Sequence, residues 1–115
     1  MPAWRLRAGV RVNEIGRAIE RVVKARGFTV IRSLSGHGVG RTIHEQPTVP
    51  NYHARRQADL LTEGLVITIE PLICVGAEDV FESEDGWTIK TRDGSLAAHH
   101  EHTVMIRKGA AEILT

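Results

Sequence analysis

The sequence predicts an α+β fold in which several largely antiparallel strands form a sheet with one main helix on one face. Three observations lead to this prediction. A single stretch has helical periodicity, short apolar and β-branched runs are separated by turn residues, and no repeat or linker divides the chain. A length of 115 residues suits one domain, 1–115, and lies at the lower end for an enzyme that must enclose a site.

The main helix is predicted from Asn13 to just before Gly27. Its apolar residues recur at helical spacing, and they are Ile15, Ala18, Ile19, Val22 and Val23. Asn13 is a suitable N-cap, because its side-chain oxygen can accept a backbone N–H of the first turn. Lys24 and Arg26 suit the negative end of the helix dipole, and Gly27 is placed to end the helix.

The strands are predicted from short apolar runs. Extended segments at 28–34 and 41–44 flank a glycine-rich bend at 36–40. The prolines and charges between Glu45 and Gly64 argue against a continuous strand, so we predict a polar loop there with a helical turn or two at 55–61. Four further strands are predicted at Leu65–Ile69, Leu72–Val75, Trp87–Thr91 and Thr103–Ile106.

Composition and charge exclude several classes of partner. With 42% hydrophobic residues, 25% charged residues and a formal net charge of +1, the chain gives no electrostatic reason to expect nucleic acid or an anionic membrane. The first residues lack an apolar signal-peptide core, and Glu70 interrupts the longest apolar run well short of the roughly 20 residues that span a bilayer.

The single cysteine, Cys74, is expected to be buried and reduced. We therefore expect a cytoplasmic protein without a membrane partner.

Glu70 is the most informative single residue, because it ends an otherwise apolar predicted strand. Burying an unpaired carboxylate there would cost on the order of several kcal/mol, so a partner for this side chain is expected. The alternative is that Glu70 caps the strand and points to water, which the following Pro71 permits. From this residue alone, both a ligand or acid–base role and simple exposure remain open.

His37 lies among glycines at positions 36, 38 and 40, which let the backbone bend closely around a site. This pattern favours a ligand. A phosphate-binding loop is less suitable, because the dinucleotide pattern requires glycine where Arg41 stands and no helical pattern follows. His44 need not share a face with His37, and alone it is typical of a surface histidine. A helical zinc-protease motif is excluded, since Thr48 stands where that motif requires histidine.

Three histidines surround a glutamate at the start of the last predicted strand. In strand geometry Glu101 and Thr103 share one face while His100 and His102 share the other, so only one set can line a given cavity. A polar turn is the ordinary explanation of such a run. Trp87 follows a turn signal, and alone it is typical of core or interface packing.

Six motifs are spread along the chain, and they are Gly36-His37-Gly38-Val39-Gly40-Arg41, Ile43-His44-Glu45-Gln46-Pro47, Thr68-Ile69-Glu70-Pro71, Asp85-Gly86-Trp87-Thr88, Glu101-His102-Thr103 and Glu112-Ile113-Leu114-Thr115. In order and spacing they resemble the type I methionine aminopeptidases, from about Leu6 to Thr115. Type II enzymes carry an insertion between the positions of His37 and Glu70. The resemblance implies the C-terminal half of a pita-bread fold, with a curved, largely antiparallel sheet and one main helix packed on it.

The resemblance also implies roles for the unusual residues. His37, Glu70 and Glu101 would be metal ligands, with Glu101 bridging two ions. His44 would be catalytic, because it would contact the substrate amide and stabilise the tetrahedral intermediate. Trp87 would help to line the pocket for the methionine side chain. A histidine nitrogen with carboxylate oxygens suits divalent cobalt, manganese, iron or zinc, which can activate water and polarise a carbonyl.

The chain departs from the family pattern before His37. The family has two aspartate ligands there, whereas the only acids at that side of this chain are Glu14 and Glu20, both in the predicted helix. Further pocket residues and another histidine are missing, and Ile43 stands in the substrate pocket where many members have an aromatic residue. We therefore expect at most one weakly held ion, an exposed apolar patch and very little activity of the isolated chain.

Three functional hypotheses follow. The favoured one is a metalloaminopeptidase that removes methionine from the N-terminus of peptides or nascent proteins, with a complementary N-terminal half encoded upstream or on a partner chain. The alternative is a non-catalytic module of the same fold that binds a protein or peptide with its open face. A proline-specific peptidase shares the fold but matches less well around His44.

Overall fold

The computed structural model describes residues 5–76 and 78–115. The prediction that the chain starts without a signal-peptide core rests mainly on residues 1–4, which lie outside the described residues. The described residues form the helix α1, Val12–Ala25, and ten strands. The strands are β1 Thr29–Val30, β2 Gly36–Gly38, β3 Glu45–Val49, β4 Val66–Ile69, β5 Leu72–Cys74, β6 Val80–Glu82, β7 Ile89–Thr91, β8 Ala97–His99, β9 His102–Met105 and β10 Glu112–Ile113.

These strands form three sheets, and the pairings between them are antiparallel. The five-stranded sheet has the order β10-β9-β4-β2-β3, and the three-stranded sheet has the order β1-β5-β8. Strands β6 and β7 form a separate hairpin. The predicted α+β class with largely antiparallel strands and one helix is confirmed.

One pairing register runs through both larger sheets. Strand β4 pairs with β9, and β5 pairs with β8, with the same offset. The pairs that flank the junction are Ile69↔His102 and Leu72↔His99. We call the two paired segments, β4–β5 and β8–β9, the two arms. Each arm has two residues between its strands, and in the common register Glu70 lies opposite Glu101 and Pro71 lies opposite His100. The backbone N–H of His100 donates to the carbonyl of Pro71 at 3.2 Å, which holds the junction together.

The hydrophobic core lies between α1 and the five-stranded sheet. Its buried members are Leu6, Val12, Ile15, Val49, Leu61, Ile67, Val104 and Ile106. Ile67 of β4 and Val104 of β9 point toward the helix. Because side chains alternate along a strand, their neighbours Thr68 and Thr103 belong to the opposite face, here called the open face. The open face is where the candidate ligands lie.

The C-terminal end of α1 agrees with the prediction, whereas its N-terminal end does not. Gly27 follows the last turn with a φ of 78°, and Lys24 lies in that turn, as predicted. The prediction of Asn13 as N-cap is wrong. The N-cap is Arg11, which makes no side-chain capping bond, while Asn13 is buried inside the first turn against the segment around Arg55.

Three predictions around the glycine-rich segment are wrong. Residues 36–38 form β2 rather than a bend, and residues 45–49 form β3 rather than part of a loop. Residues 41–44, predicted to be extended, form the bend that joins these two strands. Gly36 permits β2, because a Cβ there would overlap the carbonyl oxygen of Thr68 on β4. Pro47 is compatible with β3 because β3 lies at the edge of its sheet, where a missing N–H breaks no ladder.

The other predicted elements lie close to their expected positions. Strands β4, β5, β7 and β9 fall within or next to the four predicted segments, although Trp87 precedes β7. The segment 55–61 has a turn but no helix, and β6, β8 and β10 were not predicted. Cys74 is buried as expected. Within 5–76 and 78–115, no helix is long and apolar enough to cross a membrane.

Candidate metal centre

His37 lies in β2, between β3 and β4, and two hydrogen bonds orient it. Its backbone N–H donates to Thr68 Oγ1 at 3.0 Å, and its ring Nδ1 lies 2.9 Å from the carbonyl oxygen of Gly38. A carbonyl oxygen only accepts, so Nδ1 carries the proton of this bond. In the neutral ring Nε2 therefore has a free lone pair, which is the arrangement found in metal-binding histidines.

That free nitrogen faces Glu70. His37 Nε2 lies 3.4 Å from Glu70 Oε2, and the two side chains are only 15% and 17% exposed. Thr68 donates its hydroxyl to the same carboxylate oxygen at 2.7 Å, and His99 Nε2 lies 3.9 Å from Oε1. Glu70 therefore does not point to water as a simple strand cap would. A free lone pair beside a largely buried carboxylate is an arrangement that a cation between the two atoms would stabilise.

The separation of these two atoms fits ligands of one divalent ion. Ions such as zinc lie about 2.0–2.2 Å from histidine nitrogen and carboxylate oxygen, and two such bonds at a tetrahedral angle separate the ligand atoms by about 3.4 Å. The observed distance of 3.4 Å between His37 Nε2 and Glu70 Oε2 agrees with this value. The chemistry and the spacing of the pair both suit a metal ion.

Glu101 is placed opposite Glu70 by the common register, and its side chain is exposed. Directly opposed residues in an antiparallel pair carry their side chains on the same face of the sheet. In the part of the chain that the structure describes, however, no three His, Cys, Asp or Glu side chains are already arranged around a common point for a metal. The structure brings His37 and Glu70 together, while Glu101 as third ligand stays a prediction.

His44 lies beside His37 although sequence spacing did not require it. The two ring centroids are 4.2 Å apart, with the ring planes tilted by 54°. His44 ends the bend between β2 and β3, where its carbonyl accepts a hydrogen bond from Thr42 Oγ1 at 3.1 Å. The reversal of the chain between the paired strands brings the two imidazoles together. Because His44 is exposed, it can reach a molecule bound over the open face.

Ile43 and Trp87 are both strongly exposed, at 71% and 86% respectively. Ile43 precedes His44 in the same bend, whereas Trp87 lies in the turn of the β6–β7 hairpin. The carboxylate of Asp85 holds that turn, because it accepts the backbone N–H of Trp87 at 2.9 Å and that of Thr88 at 2.8 Å. The placement of Ile43 and Trp87 in a substrate pocket stays a prediction.

Two residues near the candidate centre were not singled out from the sequence. Thr68 is 3% exposed and bonds both His37 and Glu70, and its position two residues before Glu70 on one strand was a usable signal. His99 approaches Glu70 from β8. Only the register between the arms reveals that approach, so no local signal in the sequence could have found it.

Comparisons with known proteins identify the family that this chain resembles. Residues 3–108 match the family model of metallopeptidase family M24. The chain is 43% identical over 110 residues to the methionine aminopeptidase of Escherichia coli K12, covering 96% of this chain and 42% of that protein. It is 47% identical over 109 residues to the methionine aminopeptidase of Aquifex aeolicus, covering 93% of this chain and 42% of the relative. The chain thus spans less than half the length of these curated relatives.

A solved methionine aminopeptidase and a solved prolidase resemble this chain to different degrees. The methionine aminopeptidase of Thermotoga maritima superposes with a TM-score of 0.92 at 42% identity, covering 98% of this chain and 45% of that one. The prolidase of Pyrococcus furiosus gives a TM-score of 0.65 at 27% identity. The chain is therefore more similar to the methionine aminopeptidase than to this proline-specific relative.

Proposed function

The chain belongs to metallopeptidase family M24, and from this premise we propose that it forms the C-terminal half of a methionine aminopeptidase catalytic domain. The single observation that carries the proposal is the pairing of His37 Nε2 with Glu70 Oε2 at 3.4 Å, with the His44 ring beside it, in a chain 43% identical to such an enzyme. The proposed substrate is the N-terminal methionine of a peptide or nascent protein, as in the names of the relatives.

His37, Glu70 and Glu101 are the proposed metal ligands of this half. A divalent ion held there, whether cobalt, manganese, iron or zinc, would supply Lewis-acid chemistry to the scissile carbonyl. With one nitrogen and two carboxylates, these residues hold at most one ion weakly, and a second requires aspartates that no residue before His37 supplies. The opposed position of Glu101 supports a bridging role between this half and a complementary one.

The remaining residues act on the substrate. His44 is exposed beside His37, so its ring can donate a hydrogen bond to the oxygen that gains charge during peptide cleavage. Thr68 holds the Glu70 carboxylate in place through its hydroxyl. Ile43 and Trp87 offer exposed apolar surface for the methionine side chain. The neutral composition is compatible with the predicted cytoplasmic location, which stays a prediction.

The activity of the 115-residue chain alone is a separate expectation. Without aspartate ligands, the chain should release methionine from the peptide Met-Ala-Ser at a very low rate or not at all, even with manganese or cobalt present. A coupled assay of free methionine measures this directly. Turnover comparable to that of the Escherichia coli enzyme would contradict the expectation.

A chimera tests the proposed function itself. The chain would replace the matching segment of the Thermotoga maritima enzyme, which its TM-score of 0.92 permits. We expect metal-dependent methionine release, a fall in kcat of about 10²–10³-fold for His44→Ala, and a comparable or larger loss for His37→Ala. The matched control is His53→Ala, a partly buried histidine whose ring contacts Arg17 and the carbonyl oxygen of Asn13, each at 3.4 Å.

The outcome also separates the competing hypotheses. A folded chimera that binds metal but releases no methionine would contradict the enzyme proposal. That result would instead favour a non-catalytic binding module of the same fold. Equal activity of the His37→Ala and His53→Ala chimeras would show that the assigned ligand has no role.

A further inference from the structure

A second pair of imidazoles, those of His100 and His102, lies on the face of the sheet opposite to the open face that carries His37 and Glu70. His102 lines an apolar cleft beneath α1 together with Ile15, Ile19 and Ile69. His100 lines a neighbouring cleft at the same helix. Strand alternation places Glu101, between them, on the open face. The function proposed above uses neither His100 nor His102.

The tautomer of His102 is set by its surroundings. Its Nδ1 lies 2.7 Å from the main-chain oxygen of Thr115, the last residue of the sequence. Because neither a carbonyl nor a carboxylate oxygen donates, Nδ1 carries the proton, and Nε2 of the neutral ring has a lone pair that faces His100. A ring N–H bonded to a carboxylate or a backbone carbonyl is the usual support of a metal-binding histidine, since it fixes both tautomer and orientation.

His100 completes a two-nitrogen arrangement. Its Nε2 lies 3.0 Å from Nε2 of His102, and the rings are nearly perpendicular, at 81°, with centroids 4.7 Å apart. Two nitrogens at about 2.0–2.1 Å from one ion are separated by about 2.9–3.0 Å when they occupy adjacent corners of a square, and by about 3.4 Å at a tetrahedral angle. The observed spacing matches the square arrangement. Without an ion it is the length of a hydrogen bond that the Nε2–H of His100 donates to Nε2 of His102, and a bound ion would take the place of that proton.

We propose that His100 and His102 form a second metal site that binds a divalent ion of tetragonal preference, Cu²⁺ or Ni²⁺, through their two Nε2 atoms. Imidazole nitrogens in square geometry select these ions, and Cu²⁺ is the tightest-binding of the first-row series. Water completes the coordination on the exposed side of His100. The site shares no ligand with the pair His37 and Glu70, so it does not depend on the proposed function.

Copper titration of the 115-residue chain tests this site. The background variant is His37→Gln, which removes the candidate centre's nitrogen ligand. In this background, CuSO₄ is titrated calorimetrically, and electron paramagnetic resonance counts the coordinated nitrogens. His100→Gln is the test substitution, because its side chain is exposed and its loss leaves the core intact. His53→Gln is the matched control, and circular dichroism verifies that all three proteins are folded.

The expected result is one Cu²⁺ with two imidazole nitrogens in the background protein and in the His53→Gln control. Losing only a residue that hydrogen-bonds a metal ligand weakens metal binding about 10- to 100-fold. His100→Gln removes a ligand itself, so it should weaken Cu²⁺ binding at least about tenfold and leave one coordinated nitrogen. The proposal is overturned if the background protein shows no two-nitrogen copper signal. It is also overturned if His100→Gln changes neither affinity nor nitrogen count.

Discussion

Thr68 is hydrogen-bonded to both residues of the candidate metal centre, His37 and Glu70. Its hydroxyl oxygen accepts the backbone N–H of His37 and donates to Glu70, at 3.0 and 2.7 Å. One side chain therefore fixes both the strand that carries the histidine and the carboxylate that faces it. Because Thr68 is buried, water cannot readily replace its hydroxyl.

Thr68→Val should weaken metal binding without abolishing the fold. Valine keeps the shape and the β-branch but loses the hydroxyl, so we expect affinity for Co²⁺ or Mn²⁺ to fall about 10- to 100-fold. The free energy of unfolding should fall by about 1–3 kcal/mol, because the N–H of His37 loses its buried partner. Calorimetric titration and urea unfolding measure the two effects.

The control for this substitution is Thr29→Val, in β1 of the three-stranded sheet. It removes a hydroxyl at a strand position that does not contact the His37–Glu70 pair. Equal metal affinities of the two variants would mean that Thr68 does not position the carboxylate.

Site residues differ in how far the sequence could predict them. His37 and Glu70 stood out because their surroundings, glycines and an apolar strand, do not suit ordinary polar residues. Their contact and the nearness of His44 depend on strand pairing, which local patterns do not contain. His99 was missed for the same reason, since it reaches Glu70 only across the paired arms.

At the scale of single elements, the β6–β7 turn is held by one carboxylate. The Thr88 hydroxyl, followed by the backbone N–H groups of Thr88 and Trp87, lowers the pKa of Asp85 from its ordinary value of 3.8. Since the folded-state pKa is the lower one, these bonds stabilise the turn above the unfolded pKa. Their contribution is lost as the pH falls through the folded value.

The turn should therefore keep its amide hydrogen bonds until the pH is below 3.8. NMR titration of the Trp87 and Thr88 amide shifts measures the midpoint. Asp85→Asn removes the titrating group, so its two amides should show no such transition. A midpoint at or above 3.8 in the unsubstituted chain would contradict the assigned hydrogen bonds.

Elements with strong local signals were predicted well, and those made by pairing were not. The helix and the apolar strands β4, β5 and β9 follow from periodicity and side-chain type. Strand β2 is rich in glycine and β3 contains proline, so both contradict strand propensity. They form strands because β4 on one side offers a close backbone neighbour and the sheet edge on the other tolerates proline.

For the whole molecule, the docking of α1 depends on one glycine. A Cβ on Gly16 would overlap the carbonyl oxygen of Tyr52 and lie 2.8 Å from that of Pro50. Both neighbours are backbone atoms of the segment that follows β3, so they cannot rotate away as a side chain would. The helix can approach this segment only where it carries no side chain.

Gly16→Ala should lower the free energy of unfolding. Alanine in a helix normally gains about 0.5–1 kcal/mol over glycine, but overpacking a rigid contact costs about 1–3 kcal/mol, so the net change should be a loss. Urea unfolding followed by circular dichroism measures it. Gly109→Ala is the control, since a Cβ there meets nothing within 4 Å. A Gly16 variant as stable as this control would contradict the close approach.

The shared register of the two arms divides the chain into parts that can and cannot change length. One residue added between Val66 and Cys74, or between Ala97 and Met105, would turn every later side chain of that arm to the wrong face. The N–H of Val75 still donates to the carbonyl oxygen of Leu96 at 3.0 Å, so the excursion that joins the two arms begins only after this pair. We therefore expect insertions and deletions in that excursion, unlike those within the arms, to leave the opposed glutamates aligned.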